Sequence, residues 1–461
     1  MQVFNNVIET IGNTPIVKLG KLANGLGANL YCKLEYLNPG GSIKDRIGYW
    51  MIEDAEKRGA LKPGGTIVEC TSGNTGFGLA IAAAIKGYKC VFVLPDKMSD
   101  EKIKALRAFG ARVVVTPTAV EADDPRSYYS TARRIAQETP NSVHLHQYNN
   151  LANRECHYKM TGPEILRQMP QIDVLVAGIG TGGTICGVAK FLKEKKPSVQ
   201  VIAVDPMGSL VYEYFKTGKM GPTHPYVVEG IGEDFIPDNY DMSVIDDIVQ
   251  VNDKESHLMT RELLAKEGIY AGTSTGAAAA GMLKWVRSQG AKLAGKNVLT
   301  IAVDSGGRYL SKVYDDEWMR EKGYFETPAM GTVADLLAAR GPATALITVK
   351  PSDKVKAVID LMNDKGISQV PIVDERGWVK GIATEKTLLG KLYSGKLAPS
   401  NTVDTALDSS MEFVRLEDPI ERVSKMMTEG KVPLVADPKQ DGKLLAIITN
   451  IDLLKFLGGR A

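Results

Sequence analysis

The chain has 461 residues, which at about 100–200 residues per domain predicts two to four domains, each large enough to bury a core. It is 44% hydrophobic, 24% charged and 7% aromatic, which excludes a disordered, collagen-like or coiled-coil chain. Lysines and arginines number 56 against 54 aspartates and glutamates, for a net charge of +2. Because this is too little for a basic surface that follows phosphates, nucleic acid is not an expected partner.

The cysteines and histidines show no spacing typical of a disulfide framework or a metal site. Five cysteines are scattered singly, without a CxxC pair, which fits a reducing compartment. His144 and His146 share one face of a predicted strand without a third ligand nearby, so we expect no metal. The chain also lacks a run of 18 apolar residues and a signal peptide. We therefore expect a complete cytoplasmic protein without a membrane partner.

Up to about residue 320, short aliphatic runs alternate with helical segments. In chain order, the predicted strands are TIVEC, KCVFVLP, ARVVVTP, VLVAGIG, QVIAVDP and NVLTIAVDS. The predicted helices among them are GLAIAAAIKG, DEKIKALRAFG, YSTARRIAQET, GVAKFLKEKK, ESHLMTRELLAKEG and GAAAAGMLKWV. Short apolar strands between helices are typical of βα units on a parallel sheet. The pattern predicts an open, doubly wound α/β fold that binds ligands at the carboxyl ends of its strands.

The character of the sequence changes at 327–331, where TPAMG is typical of a connector. Beyond it, GISQVPIV and GWVKGIATEKTLL are echoed about 62–65 residues later by GKVPLV and GKLLAIITNIDLL. One such unit would bury too little surface alone, so a pair is expected. The sequence predicts a first domain over 1–326 and a second over 327–461. The second is a tandem pair of βαββα modules, at about 331–396 and 400–457.

A lysine follows a glycine-rich turn near the start of the chain. The segment NPGGSIKDR (38–46) places Lys44 in the first turn of a predicted helix, with Ser42 as its N-cap and Asp45 three residues on. Most lysines are solvent exposed. A helix N-terminus and burial both disfavour an ammonium group, however, and favour the neutral nucleophile that a Schiff base requires.

Three more loops rich in glycine and hydroxyl groups precede predicted helices, namely TSGNTG (71–76), GIGTGGT (178–184) and GTSTG (272–276). Each could present backbone N–H groups to a carboxylate or phosphate, or simply cap a helix. The second loop, followed by Asp205, also approaches a dinucleotide fingerprint. A dinucleotide domain leaves Lys44 unexplained, whereas one bound phosphomonoester would use all of these loops around one cleft.

Together, GGSIKDR, TSGNTG, GTGGT and GTSTG resemble the β-family of pyridoxal-phosphate enzymes (fold type II) over about residues 5–325. Within it, VVEGIGEDFIP, TPNSVHLHQYNN and VDPMGS look more like the cystathionine β-synthase branch than the sulfhydrylases, and the repeat resembles the paired regulatory modules of that branch. The resemblance implies open twisted α/β sheets with helices on both faces, pyridoxal 5'-phosphate as cofactor, and a homodimer or higher homo-oligomer.

The resemblance also implies roles for individual residues. Lys44 would be the Schiff-base lysine and proton shuttle, Asn74 would hold the ring hydroxyl, and Ser274 would contact the pyridine nitrogen. The implied phosphate ligands are Gly180, Thr181, Gly182, Gly183 and Thr184. The implied contacts of the amino-acid substrate are Thr71, Ser72, Gly73, Thr75, Gln147 and Tyr148, the last of which could equally belong to the core.

The implied reaction replaces the hydroxyl of L-serine with L-homocysteine to give L-cystathionine, with release of hydrogen sulfide from cysteine as a further activity. The alternatives are an O-acetylserine sulfhydrylase and an inactive nucleotide-sensing scaffold, against which the intact Lys44 and Asn74 argue. Animal members carry an N-terminal haem-binding extension, but here the motifs begin within about ten residues of Met1, so we expect no haem. Segment 191–201 has no CxxC, which excludes redox control through such a pair.

In such modules a Thr-x-x-Asp motif after the last strand holds an adenine nucleotide. Thr449 and Asp452 form this motif in the second repeat, whereas TEKT (384–387) in the first offers no carboxylate. We expect one regulatory site, with Val370 of the other repeat nearby. The resemblance implies S-adenosylmethionine. Ile367, where an aromatic residue could have stacked on adenine, leaves AMP, ATP or a role in assembly alone as alternatives.

Overall fold

A computed structural model of the chain describes residues 3–118, 120, 124–325, 330–340, 346–437 and 440–459. The chain divides into two compact units, Met1–Phe325 and Glu326–Ala461. Most of the predicted connector at 327–331 lies outside the described residues. Each unit has hydrophobic clusters of its own, so each is described by itself.

The first unit is built on two sheets. Its strands are β1 (Ile16–Lys18), β2 (Asn29–Leu34), β3 (Thr66–Cys70), β4 (Lys89–Pro95), β5 (Arg112–Thr116), β6 (Ser142–His144), β7 (Val174–Gly178), β8 (Gln200–Pro206), β9 (Asp247–Val251) and β10 (Asn297–Ala302). The larger sheet has the order β1-β2-β10-β7-β8-β9, and the smaller has β5-β4-β3-β6. All neighbouring strands are parallel except β1 and β2. The predicted open parallel α/β fold is confirmed.

Helices cover both faces of these sheets. Those of the first unit are α1 (Lys44–Lys57), α2 (Asn74–Lys86), α3 (Asp100–Ala108), α4 (Tyr128–Glu138), α5 (Ala152–Cys156), α6 (Gly162–Gln168), α7 (Gly183–Lys195), α8 (Val211–Thr217), α9 (Asp253–Glu267), α10 (Thr273–Gln289) and α11 (Asp316–Glu321). One π-helical turn, His157–Thr161, joins α5 to α6.

Strand β7 shows why the larger sheet lies between two layers of helices. Its side chains alternate between the faces of the sheet. Val174 and Val176 pack in the same cluster as the apolar face of α10. Leu175, between them, packs in the cluster that includes α7. Because both faces are covered, the strand is apolar throughout and its residues Val174 to Val176 are at most 1% exposed.

Helices α1 and α2 touch through their backbones. A Cβ atom added to Gly78 of α2 would lie 2.8 Å from the carbonyl carbon of Lys44, and one added to Gly48 of α1 would lie 2.6 Å from the backbone nitrogen of Leu79. Real Cβ atoms do not approach other atoms so closely. Two glycines therefore set the separation of the helices that begin at Lys44 and Asn74.

A buried ionic network anchors the first turns of α1. Arg46 donates to both oxygens of Glu35 at 2.8 and 2.7 Å, and to Glu164 of α6 at 2.9 Å. Lys33 of β2 donates to Glu164 at 2.5 Å. Burial alone would raise the pKa of Glu35, but the charge and hydrogen bonds of Arg46 lower it to about 2. The network joins β2, α1 and α6, and its Arg46 is two residues after Lys44 in the chain.

The five cysteines are all free thiols. Four are buried and Cys90 is partly buried. Burial raises the pKa of Cys32 and Cys90 to about 12 and that of Cys186 to about 11. At neutral pH these side chains are thiols and not thiolates.

The second unit contains a structural repeat. Its elements are α12 (Val333–Ala339), α13 (Val355–Lys365), β11 (Gln369–Val373), β12 (Val379–Thr384), α14 (Glu385–Tyr393), β13 (Met411–Val414), α15 (Ile420–Thr428), β14 (Val432–Asp437), β15 (Gln440–Ile447) and α16 (Asn450–Gly458). Each repeat has a helix, an antiparallel strand pair and a second helix. A preceding segment pairs in parallel with that strand pair, through β13 in the second repeat and through Val349 and Ile372 in the first.

Candidate active site

Lys44 is the first residue of α1, behind the loop that follows β2. The N-cap is Ile43 and not Ser42, so the sequence prediction was wrong by one residue. Ser42 instead accepts a hydrogen bond from the Lys44 nitrogen at 3.2 Å, and the Asp45 carboxylate accepts the backbone N–H of Gly40 at 2.5 Å. Asp45 thus closes the preceding turn, and Ser42 accepts the first N–H of the helix.

The amine of Lys44 loses its proton more readily than that of an ordinary lysine. Burial lowers its pKa from about 10.5 to about 8, while the carboxyl groups of Glu233 and Asp304 oppose the shift. The side chain lines a cleft of about 840 Å³, which is within the size range of cofactor and substrate sites. A substantial fraction of free amine is therefore available near neutral pH, as a carbonyl-reactive lysine requires.

The cleft brings together most of the predicted site. The predicted residues that line it are Lys44, Ser72, Asn74, Gln147, Tyr148, Gly180, Thr181, Gly182, Thr184 and Ser274. Four others, Thr71, Gly73, Thr75 and Gly183, are buried behind it and do not line it. The four loops singled out in the sequence therefore meet at one place, although they lie up to about 230 positions apart.

Three helices begin at this cleft with glycine caps. The N-caps of α2, α7 and α10 are Gly73, Gly182 and Gly272, and among the described residues no side chain caps any of the three. The first backbone N–H groups of such helices are free to bind an anion, which the helix dipole also favours. The arrangement suits a phosphate and a carboxylate held near the same lysine.

The loop before α7 has the features of a phosphate cradle. Its hydroxyl groups are fixed from behind: Asn153 donates to Thr181 at 3.2 Å, and His157 bonds Thr184 at 3.1 Å. Burial lowers the pKa of His157 well below its usual value, so this imidazole is neutral. Gly183 packs against Asn153, which explains why it lies behind the surface of the cleft. Sequence reasoning missed Asn153 and His157 because neither lies in a loop motif.

The loop 71–76 and Gln147 form a second group of polar atoms at the cleft. Thr71 accepts the backbone N–H of Gly73 at 3.0 Å. Thr75 donates to the Gln147 side-chain oxygen at 2.6 Å, and the Gln147 nitrogen donates to the carbonyl of Cys70 at 2.7 Å. The second hydrogen of this amide nitrogen is left for a ligand. Thr71 and Thr75 therefore shape the site from behind, and Ser72 and Gln147 face it.

Tyr148 belongs both to the cleft and to the core. Its hydroxyl lies 2.9 Å from that of Tyr128, and its ring packs edge-on against Tyr129 and Phe235. The side chain is 6% exposed. The two interpretations of Tyr148, as a cleft residue and as a core residue, each describe part of its environment. Tyr148 and its aromatic neighbours form an aromatic wall on one side of the cleft.

Three charged residues in or beside the cleft were missed by sequence reasoning. Glu233 lines it, and withdrawal from water raises the pKa of this carboxyl well above its usual value, with Asp234 adding to the effect and Lys97 opposing it. Asp304 and Arg308 follow β10 and bond the amide of Asn74. Their position at the carboxyl end of a strand was the available signal.

The structure removes the dinucleotide alternative. Asp205, which would have bound a ribose, has no exposed surface and does not line the cleft. Its carboxylate accepts the backbone N–H of Tyr212 at 3.0 Å, at the start of α8. The Asp205 carboxylate therefore stabilises the start of α8 and does not face a ligand in the cleft.

The absence of a third ligand near His144 was a wrong expectation. Glu69, Cys70 and His144 bring potential ligand atoms within 4.8 Å of one another. However, Glu69 accepts the backbone N–H groups of His146 and Gln147 at 2.7 and 3.1 Å, and burial raises the pKa of Cys70 well above its usual value. A neutral thiol and an occupied carboxylate bind metals poorly. His146 lies outside the strand, with φ of 62°.

In the second unit, Thr449 and Asp452 form a capping box at the start of α16. Thr449 donates to the Asp452 carboxylate at 2.7 Å, and Arg340 forms an ion pair with Asp452 at 3.3 Å. Val370 has no exposed surface and packs in the core of the first repeat, so the predicted contact between Val370 and a ligand has no accessible atom in this structure.

The expectation of no carboxylate at the first-repeat motif is wrong. Asp408, which lies 21 positions after Thr387, accepts hydrogen bonds from Thr387 and from Thr384, the latter at 3.4 Å. The carboxylate comes from the segment between the repeats, which a local motif does not contain. In the part of the chain that the structure describes, no helix has the length and hydropathy needed to cross a membrane.

Comparisons with known proteins agree with this architecture. The family described as "Pyridoxal-phosphate dependent enzyme" matches residues 7–304, and the family described as "CBS domain" matches 333–394 and 403–459. The chain is 40% identical over 476 residues to the cystathionine beta-synthase of Oryctolagus cuniculus, covering 100% of this chain and 86% of that protein.

Two solved structures resemble the first unit. A hydrogen sulfide-producing enzyme from Fusobacterium nucleatum is 38% identical with a TM-score of 0.62, covering 67% of this chain and 100% of that one. An O-acetylserine dependent cystathionine beta-synthase from Helicobacter pylori is 37% identical with a TM-score of 0.61, covering 68% and 99%.

Proposed function

The chain belongs to the cystathionine beta-synthase family of pyridoxal-phosphate-dependent enzymes, and from this premise we propose that it replaces the hydroxyl of L-serine with the thiol of L-homocysteine to form L-cystathionine. We also propose a homodimer, a cytoplasmic location, and release of hydrogen sulfide when cysteine replaces serine. The observation that carries the proposal is one cleft containing a buried lysine whose pKa is lowered to about 8, together with uncapped helix N-termini for two anions.

The residues of the cleft fit the cofactor. Gly180 to Thr184, at the start of α7, would hold its phosphate. Asn74 would hold its ring oxygen, and Ser274 would meet its ring nitrogen. The cofactor, when bound, supplies an electron-withdrawing ring that lowers the barrier to removing the α-proton of an amino acid.

The residues of this chain supply binding and proton transfer. Ser72 and Gln147 bind the carboxylate of the substrate at the N-terminus of α2. Lys44, whose pKa is about 8, accepts the α-proton at Nζ, since a general base works best with a pKa near the operating pH. The aromatic wall that includes Tyr148 keeps water from this side of the site.

Glu233 supports serine as the first substrate. Hydroxide is a poor leaving group, so the bond from the β-carbon to oxygen breaks readily only if that oxygen receives a proton. Glu233 lines the cleft, and burial raises the pKa of its carboxyl well above its usual value, which favours the protonated form that donates this proton and releases water. The resulting carboxylate then takes the thiol proton of homocysteine as sulfur bonds to the β-carbon.

The resemblance to the O-acetylserine dependent enzyme from Helicobacter pylori favours a second candidate, in which O-acetylserine is the first substrate. An O-acetylserine sulfhydrylase, using sulfide, is the related alternative. Acetate leaves without a proton from the protein, so these reactions would not need Glu233.

The deciding experiment measures product formation by mass spectrometry from serine or O-acetylserine, each with homocysteine or sulfide. We expect cystathionine from serine at the highest kcat/KM. Replacing Glu233 by glutamine should lower kcat with serine by about 100-fold, within the usual contribution of general acid catalysis, and leave kcat with O-acetylserine within a few-fold. Activity with O-acetylserine alone would refute the assignment to serine. Equal losses of kcat with both substrates would refute the role of Glu233 that supports this assignment.

For the second unit we propose an adenine nucleotide site at Thr449 and Asp452, with S-adenosylmethionine as the first ligand to test. Its binding to the full chain would be measured by calorimetry, beside AMP and ATP. The capping box supports the proposal because it fixes a carboxylate and a hydroxyl at a helix N-terminus. No heat with any of the three would leave the modules a role in assembly alone.

A further inference from the structure

The amide of Asn74 is held at both ends by buried charged side chains. Its nitrogen donates to an oxygen of Asp304 at 2.8 Å. Its oxygen accepts a hydrogen bond from the guanidinium of Arg308. Asn74 is 6% exposed and lines the cleft, whereas Asp304 has no exposed surface and Arg308 is 8% exposed. The two charged residues therefore act on the amide from inside the protein.

These contacts leave the amide one way to face the cleft. An asparagine side chain has two N–H donors and one carbonyl acceptor. Arg308 occupies the carbonyl, and Asp304 takes one of the two N–H groups. A 180° rotation of the amide would place the NH2 group against the guanidinium and the oxygen against the carboxylate, which is strongly unfavourable for buried charges. Of its two N–H donors, Asn74 therefore has one left to offer the cleft.

Asp304 is fixed in place by its own contacts. The hydroxyl of Tyr309 donates to the same carboxylate oxygen at 2.6 Å. The backbone N–H of Gly272 donates to the Asp304 carbonyl at 3.0 Å, and Ser42 pairs with Asp304 as an isolated bridge. Asp304 thus joins the loops that carry Lys44, Asn74 and Ser274.

Arg308 is fixed equally well. Its guanidinium donates a second hydrogen bond to the carbonyl of Gly40 and lies 4.0 Å from the ring centre of Phe77. The hydroxyl of Ser99 donates to its backbone carbonyl at 2.8 Å. The fork of arginine bonds an amide and a backbone carbonyl together, which the point charge of lysine does not reproduce.

We propose that Asp304 and Arg308 are positioning residues that lock the Asn74 amide with an N–H toward the cleft, so that the site selects a cofactor whose ring bears an anionic oxygen at that position. The proposal concerns the cofactor and not the proposed amino-acid substrates. A failure of the serine assay therefore leaves it standing.

The test measures cofactor binding without substrate. Apo-protein is titrated with pyridoxal phosphate, and the dissociation constant is followed by absorbance. Asp304→Asn and Arg308→Lys should each weaken binding by about tenfold or more, the worth of a hydrogen bond to a charged group. In Arg308→Lys, which keeps the charge, the ring oxygen should titrate at higher pH. Asp316→Asn, an exposed change on α11, should leave both values unchanged.

A double-mutant cycle separates positioning from a general structural role. If Asp304 acts through Asn74, the double variant of Asp304→Asn and Asn74→Ala should bind the cofactor no more weakly than Asn74→Ala alone. Losses that multiply would overturn the proposal, because Asp304 would then act independently of the amide. Wild-type affinity with an unchanged absorbance titration in both Asp304→Asn and Arg308→Lys would also overturn it.

Discussion

Replacing Gly78 by alanine should displace Lys44 without changing any side chain in the cleft. The new methyl group would lie 2.8 Å from the Lys44 carbonyl carbon and 2.9 Å from the Asp45 Cα, whereas ordinary contacts begin at 3.4 Å. Because these atoms belong to the backbone, no side chain can turn away. Helix α1 must move from α2 by about 0.6 Å or more, the difference between 3.4 and 2.8 Å.

The cost of that movement can be bounded. Overpacking a tight core costs about 1–3 kcal/mol, while alanine in place of glycine in a helix returns about 0.5–1 kcal/mol. We expect a net loss of about 1–2 kcal/mol. For a unit of this size, that corresponds to a fall in Tm of a few degrees. Misplacing a reacting group by about 1 Å can cost about 100-fold in rate, so kcat should fall 10- to 100-fold.

The assay compares Gly78→Ala with Gly390→Ala by thermal unfolding and by steady-state kinetics of the cofactor-loaded enzyme. Gly390 lies on an exposed part of α14, and an added Cβ there has no neighbour within 4 Å. This control should keep wild-type kcat and an equal or slightly higher Tm. A Gly78→Ala enzyme with unchanged Tm and kcat would refute the reasoning that backbone contact places Lys44.

Three further predictions follow from the charged residues. The rate at which apo-protein captures pyridoxal phosphate should rise with pH through about 8, because Lys44 must be neutral and its pKa is lowered to about 8; a midpoint near 10 would contradict this. Glu164→Gln should cost about 3–5 kcal/mol in thermal unfolding because it leaves the buried cations Lys33 and Arg46 with one carboxylate, Glu35, between them, whereas Glu262→Gln, at an exposed pair with Lys266, should cost under about 0.5 kcal/mol. Asp452→Asn should abolish the calorimetric heat of nucleotide binding and lower stability by at most about 1 kcal/mol through its helix cap; unchanged heat would remove the site from α16.

Much of the fold could be predicted from the sequence because its signals are local. Apolar runs such as VLVAG and QVIAVDP, separated by helices, predict parallel strands with both faces buried, and the structure confirms this for β7 and β8. The repeat in the second unit was visible for the same reason. The helix α1 begins one residue later than predicted, although Ser42 still accepts the backbone N–H of its first residue, Lys44.

In the candidate site too, the residues that lie in local motifs could be predicted, and the contacts made only by the fold could not. Lys44 and Asn74 could be identified because each follows a glycine-rich loop at the end of a strand. Their assigned roles stay predictions. The contacts of Asp304 and Arg308 with Asn74 could not be predicted, since these residues lie 230 and 234 positions after Asn74 and only the fold brings them together. Asp408 was also missed because it lies outside the local motif, 21 positions after Thr387.

The burial of the cysteines has a consequence for an enzyme that handles sulfur compounds. A free thiolate near the cleft would exchange with disulfides of homocysteine or cysteine and trap the protein as a mixed disulfide. With pKa values of about 12 for Cys32 and Cys90 and about 11 for Cys186, these side chains hold almost no thiolate at neutral pH. Under the proposed reaction, the protein works among thiol substrates and their disulfides, and these cysteine thiols do not exchange with them.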